Sequence, residues 1–330
     1  GVPLAAIARE FGTPCYVLDV ATLRARAQRY REAFTRAFAG TDVDVYYASK
    51  AFSSKAVLRW MHQDGLGVDV ASLGELVTAL QAHVPPERLG LHGNNKSEEE
   101  LDLAVRTGVG RIIVDSFTEI DRVAAIAAAH GRRQDVLVRV TTGVHAGGHD
   151  FIATAHEDQK FGLSLATGAA RTALDRIHQR PELRLRGLHS HIGSQIRDSA
   201  GFAAAARALL GLRAEFAADT GHVLPEVDLG GGFAVAYVPA EEELDIESAA
   251  AELAEVVRDQ SASDGLPLPA VSFEPGRAII APAMLTLSRV GPWNPGRLDD
   301  AGSRLEVSVD GGGSDNLRTA LYQADYHAQV

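Results

Sequence analysis

Lys50 closes the run Val45-Tyr46-Tyr47-Ala48-Ser49-Lys50, a short apolar stretch that ends on a reactive amine. Glu274-Pro275-Gly276-Arg277 closes a similar run far downstream, and between them lie His191-Ile192-Gly193-Ser194 and Gly230-Gly231-Gly232. An amine, an imidazole, a glycine nest and a carboxylate followed by an arginine each end a different predicted strand. As a set they suit pyridoxal phosphate, a cofactor that needs a covalent tether, a ring to stack against, a phosphate cradle and a partner for its ring nitrogen.

Each member has a plainer reading. A lysine nucleophile must be neutral to attack, so Lys50 needs a buried site or a cationic neighbour; a lone lysine is more often a snorkelling surface residue. Side-chain-free Gly230, Gly231 and Gly232 would let backbone N–H groups close on a phosphate, with Ser194 and Arg277 adding a hydroxyl and a charge; a simple tight turn has the same composition. Glu274 beside a pyridine nitrogen would keep it protonated and make the ring an electron sink, which suits decarboxylation rather than racemisation. An ion pair between Glu274 and Arg277 is the alternative.

His189 and His191 lie two apart on a strand and so share a face. That spacing raises a metal pair, but the motif order is the reverse of that in metal-dependent amidohydrolases. His191 is therefore read as the ring-stacking imidazole, His189 as pocket wall, and no metal is expected. His156-Glu157 does not extend to HExxH, so a zinc-protease reading fails. Arg318 and Tyr322, four apart, would share a helix face and could hold a distal carboxylate; a plain surface helix would look alike.

The elements that must position these residues recur along the chain. Apolar or β-branched runs fall near residues 43–49, 66–71, 88–93, 111–115, 135–140, 184–191, 226–230 and 270–274. Seven lead into stretches of helical periodicity: 53–63, 73–82, 97–107, 117–130, 167–179, 200–220 and 246–259. Eight such units predict a (β/α)8 TIM barrel, with an open doubly wound sheet as the competing architecture. Lys50, Asp69, Ser72, His92, Asn94, Asp115, Arg139, His191, Gly230 and Glu274 all fall at the C-terminal ends of these strands, where a barrel gathers its active site. Ser72 and Ser116 also read as helix caps.

Two insertions break the rhythm. Residues 141–162 are long for a βα loop and read as a lid or interface element; residues 233–245 form an acidic second insertion. After Arg277 the pattern turns β-like at 278–290, 304–310 and 321–330, with turn-rich GPWNPGRLDDAG and DGGGSDN between. The expected domains are residues 1–19, a helix and strand joining a β-domain; 20–277, the cofactor-binding barrel; and 278–330, a partial C-terminal β-domain.

Bulk properties narrow the function. The 330 residues are 46% hydrophobic, enough for a barrel and a small second domain. A formal charge of −11 argues against nucleic acid or anionic membrane as partner. The single cysteine, Cys15, excludes an internal disulfide framework and a multi-cysteine metal site, and fits a reducing cytoplasm. No apolar run reaches the ~18 residues of a membrane span, and the N-terminal residues carry no signal-peptide pattern.

Taken together, GTPCYVLD, YYASKA, GVDVASLGEL, LHGNNKS, HEDQKFGLSL, GLHSHIGSQI, DLGGGF, SFEPGRA and VDGGGSDNLRTALY resemble the fold-type III pyridoxal-phosphate decarboxylases. HGNNKS, HEDQKFG and SDNxRxxLY are similar to the diaminopimelate branch in particular. The resemblance runs from about Gly12 to Tyr326. It implies Lys50 as the cofactor-bearing lysine, His191 as the stacking imidazole and Glu274 as the pyridinium partner. It implies Ser194, Gly231, Gly232 and Arg277 at the phosphate, with Arg277 also in reach of substrate, and Asp69 and Arg139 close to the cofactor. Arg318 and Tyr322 match residues that hold the distal end of the substrate. A homodimer with active sites shared across its interface is also implied.

The expected reaction is decarboxylation of meso-2,6-diaminopimelate to L-lysine. A decarboxylase of ornithine, lysine, arginine or carboxynorspermidine, or an inactive pyridoxal-phosphate-binding relative, are the alternatives. The family pattern continues to a Cys-Glu-Ser-Gly-Asp motif and a later tyrosine that lie beyond Val330, so the β-domain is expected to be incomplete here.

Overall fold

The structure is a computed structural model that describes residues 1–144, 160–297 and 303–329. Most of the long loop read as a lid or interface element, with His156 and Glu157, lies outside the described residues. The chain divides into two compact units, one of residues 24–235 and 242–280, the other of residues 1–23, 236–241 and 281–330.

The larger unit is the barrel. Its eight parallel strands are Val43–Ala48, Gly67–Val70, Leu89–Leu91, Arg111–Val114, Gln134–Thr141, Leu183–His189, Glu226–Asp228 and Ala270–Phe273. Each pairs with the next, and the eighth returns to the first with Val271 opposite Val43 and Phe273 opposite Val45. The second, third and fourth strands are buried along their whole length, as strands covered on both faces in a parallel barrel are. A register shift between Val136 and Leu137 bulges the sixth strand against the fifth.

Serines start four of the surrounding helices. Ser54, Ser72, Ser97 and Ser116 accept the backbone N–H groups of Val57, Glu75, Glu100 and Glu119, and Ser97 with Glu100 forms a full capping box. Those caps fix where each loop at the C-terminal face ends. The helix Val20–Ala37, unassigned by the periodicity reading, supplies Tyr30 and Phe34 to an aromatic cluster with Phe233 and Phe273; the Phe34 and Phe273 rings stack at 3.6 Å.

The barrel interior is not purely apolar. Arg111 crosses from the fourth strand to Glu226 and Asp228 on the seventh and Ser272 on the eighth. Its guanidinium lies 3.8 Å from the centre of the Tyr46 ring. Gly67 makes room for this pair, because a Cβ there would strike the Tyr46 ring, and Gly90 makes room for Asp69, whose Oδ1 a Cβ would meet at 2.7 Å.

In the smaller unit, the strand Cys15–Leu18 pairs antiparallel with Met284–Leu287. A two-stranded ribbon joins Val290–Arg297 to Ser303–Val309. Three expectations need correction here. Residues 278–283 are not strand: Arg277–Ile280 is a helical turn and Ala281–Ala283 a 3-10 turn. Ala278, Ile279 and Ile280 are buried, and a short buried apolar run carries no period to tell helix from strand. The stretch GPWNPGR, read as a separator, is strand, with its first proline at an irregularity between Val290 and Trp293, where a ladder tolerates it. Among the described residues of 321–330 there is no strand; Leu317–Tyr322 is helix and ends at Gln323 in the left-handed region.

Candidate active site

The mouth of the barrel holds a cavity of about 140 Å³. Lys50, Asp69, Arg139, His191 and Glu274 line it, together with Ser49, His92, Phe161 and His189. The strand ends set this arrangement. Ala48 N donates to Pro275 O at 3.2 Å, which seats the Glu274–Arg277 loop against the strand that leads to Lys50. Glu274 N in turn donates to Gly230 O at 2.9 Å.

The three glycines pack backbone on backbone. A Cβ at Gly231 would collide with Glu274 O and one at Gly232 with Gly193 O, so the loops after the sixth, seventh and eighth strands approach as only glycine allows. Gly230 sits at φ 69, in the left-handed region, with its N–H held by Asp228 Oδ1 at 2.8 Å. Gly231 N donates to His191 Nδ1 at 3.3 Å, which leaves the His191 proton on Nε2 and fixes the plane of the ring. Gly230–Gly232 and the loop bearing Ser194 are thus brought together beside His191. Arg277 begins the helical turn that follows Glu274.

Burial governs the charges. Lys50 keeps accessible surface because it faces the open cavity, yet the surrounding walls strip its hydration and hold its pKa below the usual value, against the pull of Glu274 and helped by Arg139. His92 and His189 are pushed down to about 3 by burial, so both imidazoles are neutral. His191 lies well below its usual range for the same reason, with Lys50 and Arg139 adding. Burial lifts Asp69 and Glu274 above ordinary carboxylates and carries Asp228 up to about 6, outweighing Arg111 there.

Sequence reasoning gave His92 no role and His189 only a place in the wall. His92 Nε2 lies 3.3 Å from both Asp69 Oδ1 and Glu274 Oε1, and His189 Nε2 lies 3.1 Å from the same Glu274 oxygen. Phe161 was also missed, although it sits in the HEDQKFG motif. The Arg139 guanidinium stacks on its ring at 4.4 Å, and Asp115 backs Arg139 at 3.8 Å while accepting Gly162 N at 2.8 Å. Arg318 and Tyr322 lie on one short helix of the smaller unit, and the Arg318 guanidinium is 4.7 Å above the Tyr237 ring.

Fold and site together define a pyridoxal-dependent decarboxylase of the barrel type. Residues 20–281 match the family described as pyridoxal-dependent decarboxylase, pyridoxal binding domain. Diaminopimelate decarboxylase of Mycobacterium tuberculosis is 49% identical over 334 residues, covering 100% of this chain and 74% of the relative. That of Bacillus subtilis is 42% identical, covering 99% and 73%. The crystal structure of diaminopimelate decarboxylase from M. jannaschii superposes with a TM-score of 0.89 at 29% identity, covering 98% of this chain and 73% of that one. The Helicobacter pylori enzyme complexed with L-lysine gives 0.86 at 25%, covering 98% and 77%. The chain belongs to the diaminopimelate decarboxylase family, whose chemistry is that of a carboxy-lyase with pyridoxal phosphate as cofactor. It spans about three quarters of the length of these relatives.

The residues present fit that cofactor. Asp69 Oδ1 and Oδ2, Glu274 Oε1 and Ser49 Oγ, all on residues that line the cavity, are buried and make no hydrogen bond within the protein. Buried polar atoms without partners call for a polar occupant, and a ring with a nitrogen and hydroxyl on its edge is one.

Proposed function

We propose that this protein removes CO2 from meso-2,6-diaminopimelate to give L-lysine. The observation that carries the reading is that Lys50, His191 and Glu274 line one cavity in a chain whose relatives are diaminopimelate decarboxylases. Bound there, pyridoxal phosphate supplies an electrophilic ring that draws in the electron pair left on Cα when CO2 departs. Lys50 Nζ, its pKa lowered by burial, would hold the cofactor covalently. A carboxyl oxygen of Glu274 keeps the proton on the ring nitrogen. His191, its own ring oriented by the Gly231 N–H, would stack against the cofactor.

In the same reading Gly230, Gly231, Gly232, Ser194 and Arg277 receive the phosphate, and Asp69 and Arg139 flank the ring. Arg277 is also assigned to substrate. Arg318 and Tyr322 grip the distal carboxylate, a clamp that ornithine or lysine would leave unused. Residues 20–277 act as the cofactor-binding barrel, and residues 1–19 with 278–330 as part of a β-domain. The active form is a homodimer, supported by Trp293, Leu305 and Val307 standing exposed on that unit. A cytoplasmic setting agrees with one half-buried cysteine and with no described helix long and apolar enough to cross a membrane.

Borohydride reduction of the loaded protein, followed by peptide mapping, is expected to leave the cofactor on Lys50. Product analysis on diaminopimelate, ornithine, lysine, arginine and carboxynorspermidine is expected to give CO2 fastest from the first. Label on another lysine removes the site assignment, and preference for ornithine removes the substrate.

A further inference from the structure

His92 on the loop after the third strand and His189 at the end of the sixth meet across the barrel, with ring centres 5.2 Å apart. Glu274 from the end of the eighth strand stands against both. His92 Nε2, His189 Nε2 and Glu274 Oε1 lie within 4.8 Å of one another. The two nitrogen–oxygen separations are 3.3 and 3.1 Å. None of these three atoms makes a hydrogen bond, although all are buried. At such distances, contacts that are not directed as hydrogen bonds have the form of the edges of a coordination polyhedron. Ligands ~2.0–2.1 Å from a tetrahedral zinc ion stand ~3.3–3.4 Å apart.

We propose that the cofactor-free protein binds a zinc-like divalent transition-metal ion through His92 Nε2, His189 Nε2 and Glu274 Oε1, and that metal and cofactor exclude one another. The pair weighed from the sequence, His189 with His191, is not the one that converges; His92 takes the second place. Two imidazoles and one carboxylate form a three-ligand set that leaves a fourth position for water, and the cavity opens onto it.

The field in the cavity is mixed, since Lys50 and Arg139 line it as well as Asp69. Bulk attraction for a dication is therefore weak, and the preference comes from imidazole nitrogen. That selects zinc, nickel or copper over magnesium or calcium. His189 Nδ1 is buried without a partner, so one ligand lacks the outer support that tightens resident metal sites. The ion is thus a competitor for the unloaded barrel and not a structural component. The exclusion rests on the reading of Glu274 as partner of the ring nitrogen; the metal binding does not.

Equilibrium dialysis of cofactor-stripped protein against zinc, with the metal measured by atomic absorption, tests both parts. About one zinc per chain is expected to stay with the stripped protein and none in this site on the loaded one. His92→Gln and His189→Gln are each expected to weaken retention by more than about tenfold, since even loss of an outer partner costs that much. Retention unchanged in both variants assigns the metal to surface histidines and overturns the site. Zinc lost in both variants yet held equally by loaded and stripped protein keeps the site and removes Glu274 from the ring nitrogen. Cobalt added to stripped wild type gives a readout that does not depend on the variants folding. Intense tetrahedral visible bands that disappear on adding pyridoxal phosphate support the proposal, and weak octahedral bands overturn it.

Discussion

Arg111 and Asp228 meet inside the barrel, Nη2 to Oδ2 at 2.7 Å, with Asp228 completely buried. The other oxygen of Asp228 accepts the N–H of Gly230. One carboxylate therefore ties the charged barrel core to the first residue of the glycine nest. Asp228→Ala removes both contacts and leaves a buried guanidinium short of a partner, at a cost of about 3–5 kcal/mol. Asp228→Asn keeps an acceptor for Gly230 and is expected to cost less. Denaturant midpoints check the order. If the nest receives the phosphate, Asp228→Ala also weakens pyridoxal phosphate more than pyridoxal, which has no phosphate. Equal weakening of the two removes that link.

Lys50 offers a pH test. Burial is the largest influence on its amine and holds it below 10.5. The neutral, reactive form is therefore present at lower pH than for a free lysine. The rate at which stripped protein takes up cofactor should rise with pH and level off at an inflection below 10.5. Arg139 lowers the Lys50 pKa and Glu274 raises it. Arg139→Met is thus expected to move the inflection up and Glu274→Gln to move it down. Stopped-flow absorbance reads both, and shifts in the same direction would contradict the assignment.

Much of this was legible beforehand, for reasons particular residues show. The barrel strands end in polar residues after fully buried runs, so Lys50, Asp69, Arg139 and Glu274 could be placed on one face before closure was seen. The partnership of His92 with His189 could not, because only the curvature of the sheet brings the third and sixth strands together. Arg111 lay inside an apparent apolar run, and nothing local says that its charge points into the barrel. The smaller unit was harder. Ala278–Ile280 is apolar without period, and Pro292 and Pro295 disguise a strand as a turn.

Arg318 tests the substrate reading. Its guanidinium rests on Tyr237 at 4.7 Å, a stacking that holds the fork in one plane. If it grips the distal carboxylate of diaminopimelate, Arg318→Ala loses hydrogen bonds to a charged group worth about 1.5–3 kcal/mol. KM for diaminopimelate is then expected to rise roughly ten- to a hundredfold, with a smaller change in kcat. Slow turnover of ornithine, which has no distal carboxylate, should not change. Steady-state kinetics on both substrates decide it, and unaltered diaminopimelate turnover removes the clamp.

Lys96 and Glu119 form a second enclosed ion pair beside the site. Lys96 Nζ donates to Glu119 Oε1 at 2.6 Å and to Gly93 O and Ile113 O at 2.7 Å each. Their side chains are 1% and 6% exposed. This ammonium joins the loop after the third strand, which carries His92 and Gly93, to the fourth strand and the helix after it. Burial depresses Lys96 and raises Glu119, so each charge depends on the other. Lys96→Met leaves Glu119 buried alone and frees two carbonyls, and is expected to cost about 3–5 kcal/mol. In the double variant Lys96→Met, Glu119→Leu no charge is stranded, and much of that loss should return. Thermal and denaturant unfolding of the two single variants and the double give the coupling. Strict additivity would mean that the pair is incidental to the packing of this loop.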